Sequence, residues 1–127
     1  MPEPNALLRF LVVEDNPADL FVLEGLLWKT RLPIGQIIKA KSNEEADLLL
    51  NNEQPNLILL DLSLPDSAGI ESFKHINQIA PAIPIIVLTG LADMDMALET
   101  MAAGAQDYLV KGEFDEKLLS KSIQYSI

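Results

Sequence analysis

Acidic side chains follow two apolar segments of the chain, at positions where a buried strand would end. Residues 57–60 are an unbroken apolar run that leads into Asp61, and residues 7–13 lead in the same way into Glu14 and Asp15. Short apolar runs of this kind are typical of strands buried on both faces of a parallel sheet. Ligands of open α/β sheets bind beyond the carboxyl ends of the strands. Three carboxylates therefore stand where a site is expected.

Two further segments end in residues that can bind a phosphoryl group. The apolar run 85–88 is followed by Thr89 and Gly90, and the short run 108–110 is followed by Lys111. The threonine hydroxyl and the lysine ammonium can each donate a hydrogen bond to a phosphoryl oxygen, and the charged donor makes the stronger bond. Gly90 leaves space for a phosphodonor.

If the first and third strands are neighbours, Asp15 and Asp61 can share a ligand, because adjacent strands lie about 4.8 Å apart. The three carboxylates and the one ammonium sum to a charge of −2. Like charges this close shift their pKa values or hold a cation, and oxygen donors without His or Cys suit Mg²⁺. A carboxylate beside Mg²⁺ and a lysine favours attack on phosphorus. We expect Asp61 to be the nucleophile, Asp15 a direct Mg²⁺ ligand and Glu14 a ligand through water.

Capping residues between these runs predict helices. Asn16 and Pro17 fit an N-cap followed by the first helical position, and Ser42 with Glu45 fits a capping box. Gly104 is placed as the stop of a fourth helix. The predicted helices cover about residues 17–32, 43–51, 67–79, 94–103 and 114–127, and a short additional strand is predicted at 36–40.

The strand before Asp61 is expected to stop there, because Pro65 lacks an N–H and cannot continue a central ladder. Asp66 or Ser67 is predicted to cap the following helix. The apolar face of that helix is predicted from four residues at helical spacing, Ile70, Phe73, Ile76 and Ile79.

Strands that alternate with helices predict an α/β fold with a parallel sheet covered on both faces. Right-handed crossovers bring the carboxyl ends of all strands to one edge of the domain. The polar residues that follow the strands are then expected on one rim, namely Glu14, Asp15, Asp61, Thr89 and Lys111.

The composition limits the class of protein. A chain of 127 residues with 49% hydrophobic residues predicts one domain, residues 1–127, with a polar N-terminal tail of five or six residues. The absence of cysteine excludes disulfides and thiolate metal sites. A net charge of −10 disfavours direct binding of nucleic acid or anionic membranes. With no signal-peptide pattern and no apolar run near the length of a membrane span, a cytoplasmic location is expected.

The chain resembles the receiver domain of two-component response regulators over nearly its whole length. The resemblance is carried by Glu14-Asp15, by Asp61 with Pro65 and Gly69, by Thr89-Gly90, and by Tyr108 with Lys111. It implies a flavodoxin-like, doubly wound sheet with strand order 2-1-3-4-5 and five helices. It also implies a histidine kinase or histidine phosphotransfer protein as phosphodonor, and a metal ligand from the main-chain carbonyl of Ser63.

The resemblance further implies a switch. Phosphorylated Asp61 draws in Thr89, Tyr108 swings inward, and the surface of the fourth helix, fifth strand and fifth helix changes. The same surface is the expected face of a homodimer. Gly112 stands where the family usually has proline after the lysine, which puts the positioning of Lys111 in question.

Two other functions stay open on the sequence alone. One is an interaction module of the same fold that never uses a phosphoryl group. The other is a small Mg²⁺-dependent phosphatase with an Asp nucleophile, although the best-known enzymes of that kind have a second Asp where this chain has Ser63.

Other chemically suggestive residues are interpreted as structural. His75, the one histidine, is predicted to lie on a helix surface away from the acidic rim, and Met94, Met96 and Met101 are predicted to pack beneath the fourth helix. The last helix has no Gly, Asn or Pro to stop it before Ile127. We therefore expect that helix to continue into a further domain of a longer protein.

Overall fold

The computed structural model describes residues 7–64, 69–90 and 93–127, in which strands and helices alternate five times. The strands are β1 (Leu8–Val13), β2 (Ile34–Ala40), β3 (Leu57–Asp61), β4 (Ile85–Thr89) and β5 (Asp107–Val110). The helices are α1 (Pro17–Lys29), α2 (Asn43–Leu50), α3 (Gly69–Ile79), α4 (Met94–Ala102) and α5 (Glu116–Ser126).

All four strand pairs of the sheet are parallel, and the strand order is β2-β1-β3-β4-β5. This confirms the α/β class and the flavodoxin-like order that the resemblance implied. Val13 at the end of β1 pairs with Leu60 of β3, and Asp61 pairs with Leu88 of β4. The carboxyl ends of these strands therefore lie side by side on one edge of the sheet.

Alternate residues of each strand enter two separate layers of core. In β1, Leu11 and Val13 face the layer that packs against α2, α3 and α4, while Phe10 and Val12 face the layer beneath α1 and α5. Every residue of β3 and β4 is buried, as expected for strands covered on both faces. Burial on both sides leaves these strands little freedom, so a side chain at their ends is held firmly.

The predicted N-caps of the first two helices are confirmed. The Asn16 side chain accepts hydrogen bonds from the N–H groups of Ala18 and Asp19, at 2.9 and 3.1 Å. The Ser42 hydroxyl accepts one from the N–H of Glu45 at 3.1 Å. Each bond satisfies an amide that has no partner within its own helix.

Three predicted boundaries differ in the structure. Helix α1 ends at Lys29 rather than just before Pro33, and β2 starts at Ile34 rather than at residue 36. Helix α5 starts at Glu116, because the side chain of Asp115 accepts from two following amides and so caps the helix, leaving Phe114 before it. Asp66 and Ser67, the predicted caps of α3, and Pro65 lie outside the described residues.

The predicted apolar face of α3 is right in its centre and wrong at its end. Phe73 and Ile76 are completely buried, whereas Ile79 in the last turn is 40% exposed. Ala80, the residue after the helix, is buried instead. Among the described residues, none of the helices has the length and apolar character needed to cross a lipid bilayer.

Candidate functional site

Three carboxylates meet at the carboxyl ends of β1 and β3. Oxygen atoms of Glu14, Asp15 and Asp61 all lie within 4.8 Å of one another. Glu14 and Asp61 are 2% and 1% exposed, and Asp15 is exposed to solvent. The juxtaposition predicted from the two apolar runs therefore occurs, since β1 and β3 are adjacent and parallel.

The backbone fixes the two buried carboxylates in place. The N–H of Glu14 donates to the carbonyl of Ala40 at 2.9 Å, which extends the pairing of β1 with β2 by one residue. Asp61 is held by the turn that follows β3. Its Oδ1 accepts from the N–H of Ser63 at 3.0 Å and from the Ser63 hydroxyl at 2.8 Å. One oxygen of Asp61 is thus committed to the turn, and the other faces the rest of the site.

Lys111 provides the positive charge of the site. Its N–H donates to the Thr89 carbonyl at 2.8 Å, so the backbone of Lys111 continues the pairing of β5 with β4. Its Nζ lies 2.8 Å from Glu14 Oε1, 2.9 Å from Asp19 Oδ2 and 3.2 Å from Asp61 Oδ2. The lysine at the end of the fifth strand therefore reaches back across the sheet edge to the third and first strands.

Asp19 was not predicted as a site residue. It lies in the first turn of α1, where an acidic residue is usually interpreted as stabilising the positive end of the helix dipole. The sequence contains one relevant signal, which is that α1 starts on the same rim as the acidic pair Glu14-Asp15. Which helix residue then faces Lys111 depends on the packing of α1 against the sheet.

Burial, followed by the neighbouring Asp61, raises the pKa of Glu14 from 4.5 to about 7, against the opposing effect of Lys111. Burial would also raise the pKa of Asp61. This effect of burial is outweighed by a hydrogen bond from Glu14, by the two hydrogen-bond donors of Ser63 and by the charge of Lys111. The pKa of Asp61 is therefore lowered. The two buried carboxyl groups therefore differ in protonation: Asp61 is the ionised group, and Glu14 carries the proton when the pair shares one.

The pKa of Lys111 is raised. Burial alone would lower it, but hydrogen bonds to Glu14 and Asp19 and the negative charges of Asp61 and Glu14 favour the ammonium form. The lysine is therefore a fixed positive charge at neutral pH. This charge partly offsets the negative charge of the surrounding carboxylates. Asp19 adds one carboxylate to the three that the sequence predicted.

The side chains of Thr89 and Tyr108 make their contacts with residues outside this cluster. Thr89, at the end of β4, is 2% exposed, and its hydroxyl donates toward the carbonyls of Gly90 and Asp93, at 3.2 and 3.3 Å. Tyr108 is half-buried on β5 and packs against the core layer of α2, α3 and α4. In the structure as described, the Thr89 hydroxyl thus points into the loop before α4.

Gly112 follows Lys111 with a φ of +80°, in the left-handed region that proline cannot adopt. A Cβ atom at this position would meet no heavy atom within 4 Å. The loop after β5 is therefore built on a glycine conformation, and it differs in construction from the proline-containing form that the resemblance implied.

The residues interpreted as structural lie away from the carboxylate cluster. His75 Nε2 is 2.6 Å from Asp47 Oδ2, in a half-exposed pair between α3 and α2. Met96 and Met101 are partly buried against the core. These positions agree with the interpretation of His75 as a surface residue and of Met96 and Met101 as packing residues. Met94 is half-buried at the start of α4, and its packing stays a prediction.

Among models of protein families, that of the response regulator receiver domain matches residues 10–124 of this chain. Among curated proteins, the chain is 31% identical to the transcriptional regulatory protein ZraR of Salmonella typhimurium, over 94% of this chain and 27% of that protein. It is 33% identical to the DNA-binding transcriptional regulator NtrC of Proteus hauseri, over 84% of this chain and 22% of that protein. The chain thus spans about a quarter of the length of these relatives.

Solved structures give the same result. The N-terminal signal receiver domain of a two-component response regulator from Bacteroides fragilis superposes with a TM-score of 0.83 at 26% identity, covering 96% of this chain and 98% of that one. The receiver domain of a sensor histidine kinase from Pseudomonas aeruginosa, solved with a magnesium ion in its active-site cleft, gives 0.77 at 27% identity, covering 95% and 98%. Because the match runs from the first strand into the last helix, this chain belongs to the response regulator receiver domain family.

Proposed function

We propose that Asp61 accepts a phosphoryl group from the phosphohistidine of a histidine kinase or histidine phosphotransfer protein, and that this modification switches the surface of the domain. The observation that supports the proposal most directly is the setting of Asp61. It is a buried carboxylate at the end of a central strand, 3.2 Å from a lysine ammonium and within 4.8 Å of two further carboxylates.

Asp61 is suited to act as the nucleophile. Its Oδ1 is bound by Ser63, which leaves Oδ2 for attack, and its lowered pKa keeps the group ionised at neutral pH. In the transfer, an oxygen of Asp61 forms a bond to phosphorus, and the bond from phosphorus to the histidine nitrogen breaks with its electron pair returning to the imidazole. Lys111 binds a phosphoryl oxygen, and the Thr89 hydroxyl is the second donor.

The carboxylate cluster fits Mg²⁺, because its donors are all oxygen atoms and lie close enough to share one ion. Asp15 and Asp61 would bind it directly, Glu14 through water, and Ser63 through its main-chain carbonyl. A bound Mg²⁺ supplies positive charge to the phosphoryl oxygens during transfer. Burial, followed by the neighbouring Asp61, raises the pKa of Glu14, so an ion bound here would compete with a proton on this carboxylate.

The switch is proposed to run through Thr89 and Tyr108. Phosphorylation converts one negative charge at Asp61 into about two. The Thr89 hydroxyl leaves the carbonyls of Gly90 and Asp93 for the new phosphoryl oxygens, and Tyr108 moves inward behind it. The affected surface is that of α4, β5 and α5, where Leu98 and Leu118 are 56% and 46% exposed. The same surface is our proposal for a homodimer interface.

We further propose that the domain catalyses only its own phosphorylation and dephosphorylation, and that it works in the cytoplasm, where a kinase can reach it.

Residues 1–127 are proposed to form one receiver domain. The chain spans about a quarter of relatives that are transcriptional regulators, which supports a longer natural protein in which α5 leads into a further domain.

The test is to treat the purified domain with Mg²⁺ and acetyl phosphate and to measure phosphoryl incorporation by intact-protein mass spectrometry. One phosphoryl group per chain is expected, and Asp61→Asn should abolish the labelling. Asp95→Asn, which removes an exposed carboxylate of α4 outside the cluster, is the matched control and should label normally. No labelling of the wild-type domain would support an interaction module, and sustained hydrolysis of varied phosphomonoesters would support a phosphatase.

A further inference from the structure

We propose that Asp19 is a positioning residue that aims the ammonium of Lys111 at the phosphoryl site. The inference rests on the proposed function of Asp61 as phosphoacceptor. It concerns a residue of α1 that is not one of the three grouped carboxylates assigned to the metal and that contacts Lys111 directly.

The ammonium of Lys111 has three N–H donors and three carboxylate partners. Glu14 and Asp61 come from strand ends, whereas Asp19 comes from a helix. The Asp19 contact, at 2.9 Å, is shorter than the contact with Asp61 at 3.2 Å. Asp19 therefore contacts the lysine from α1, whereas Glu14 and Asp61 contact it from the ends of strands.

Asp19 is itself fixed in the first turn of its helix. Its N–H donates to the side chain of Asn16 at 3.1 Å, and Pro17 occupies the start of the helix with a restricted φ. A carboxylate on a capped turn is a stable anchor, because the backbone that carries it cannot shift without breaking the cap. The anchor is also accessible, since the Asp19 side chain is 45% exposed.

The apolar packing around Lys111 leaves its long side chain room to move. The next residue, Gly112, has no side chain, and a Cβ atom there would meet no heavy atom within 4 Å. A cavity of about 200 Å³ borders the lysine, with walls that include Leu26, Leu88 and Phe114. Packing alone would therefore let the long side chain turn away from Asp61, and each lost contact with the phosphoryl group would slow transfer.

During transfer the three contacts have different fates. When Asp61 becomes an acyl phosphate it loses its own negative charge, and the N–H of Lys111 that faced it turns to a phosphoryl oxygen. The contacts with Glu14 and Asp19 persist and keep the remaining two donors occupied. Asp19 thereby restricts the ammonium to the direction in which the phosphoryl group appears.

The test compares Asp19→Ala with Glu24→Ala in otherwise intact protein. Glu24 is the matched control, because it also lies on α1 and also pairs with a lysine, Lys39, at 2.8 Å, but it is not part of the site. The initial rate of labelling by acetyl phosphate with Mg²⁺ is expected to fall about tenfold in Asp19→Ala. It should be unchanged in Glu24→Ala, and Asp19→Glu should recover part of the loss.

Two readouts separate positioning from a structural role. In a Lys111→Ala background, Asp19→Ala should slow labelling no further, since its effect passes through the lysine. In NMR spectra, the ammonium signal of Lys111 should weaken or shift in Asp19→Ala but not in Glu24→Ala. A labelling rate of Asp19→Ala equal to that of Glu24→Ala would overturn the proposal, as would an equal slowing without Lys111.

Failure of the proposed function would look different. If the wild-type domain accepts no phosphoryl group, the role of Asp61 is wrong, and the NMR comparison then decides the role of Asp19. An unchanged Lys111 signal in Asp19→Ala would reject the anchor, whereas a change confined to that variant would retain it.

Discussion

The third and fifth strands end on the same edge of the sheet, yet they are built differently. All five residues of β3 are buried, and the strand ends in Asp61 with one oxygen bound twice by Ser63. Strand β5 lies at one edge of the sheet, and of its four residues Leu109 alone is buried. After β5 the chain continues through Lys111 into Gly112, whose backbone lies in the left-handed region.

The proposed function requires Asp61 to stay fixed and requires Tyr108 and Lys111 to respond to phosphorylation. The two strands differ in the same way. Asp61, the proposed phosphoacceptor, is held by a central strand with core on both sides, which restricts its orientation. Tyr108 and Lys111 lie on and after an edge strand with neighbours on one side, where smaller energies separate alternative positions. A switch requires such a region, because a tightly packed centre cannot move in response to one phosphoryl group.

The comparison predicts the largest loss of stability for a truncation in β3. Leu59→Ala should lower the free energy of unfolding by about 2–5 kcal/mol, because a completely buried leucine leaves a cavity between β3 and the helices of its layer. Urea denaturation measures the change. Leu118→Ala, which truncates a leucine that is 46% exposed, is the matched control and should cost under about 1 kcal/mol. Equal costs would contradict the assignment of β3 as the rigid element.

The second largest loss of stability is expected when the positive charge of Lys111, which follows β5, is removed. Lys111→Met leaves Glu14, Asp19 and Asp61 without their shared cation, and we expect a loss of about 2 kcal/mol at neutral pH. The value is below that for a fully buried pair because a quarter of the lysine side chain is exposed. The measurement is urea denaturation without Mg²⁺. Lys117→Met, on the exposed side of α5, should be nearly neutral; a comparable loss there would argue against the cluster as its cause.

The pH dependence of stability should report the protonation of Glu14. Its pKa in the folded protein is about 7, above the ordinary value of 4.5, so the folded state binds more protons than the unfolded state between these values. Stability of the metal-free protein should therefore fall as pH rises from about 4.5 to about 7, and level off above it. Mg²⁺ binding should strengthen over the same range, because the ion competes with the proton.

Glu14→Gln provides the control for this titration. The substitution keeps a polar side chain of the same length and removes the ionisable group, so the decline of stability between pH 4.5 and 7 should become smaller. Urea denaturation at several pH values, with and without Mg²⁺, measures both effects. An unchanged decline in Glu14→Gln would show that another group is responsible.

The smallest effect on stability is expected for Tyr108 on β5. Tyr108→Ala should cost about 1 kcal/mol, since the ring is only half-buried against its core layer. Labelling of Asp61 by acetyl phosphate should proceed at nearly the wild-type rate. What should change is the response of the α4–β5–α5 surface to phosphorylation, measured by amide chemical shifts. A cost as large as that of Leu59→Ala would remove the distinction between the two strands.

Much of the site could be predicted because its residues follow a local pattern. Apolar runs that end in carboxylates, hydroxyls or lysine mark the carboxyl ends of buried strands, and parallel strands place those ends on one edge. Glu14, Asp15, Asp61 and Lys111 were found in this way, and the structure brings them together. The strand order came from the family resemblance, because residue periodicity does not state which strands are neighbours.

Local sequence was enough to predict the alternation of strands and helices, the caps at Asn16 and Ser42 and the acidic rim, since each depends on residues within a few positions of one another. The contact of Asp19 with Lys111, 92 positions away, and the burial of Ala80 in place of Ile79 could be seen only in the folded chain. Those outcomes depend on how a helix is rotated against the sheet. That rotation is set by the packing of many side chains at once, and no single segment of the chain encodes it.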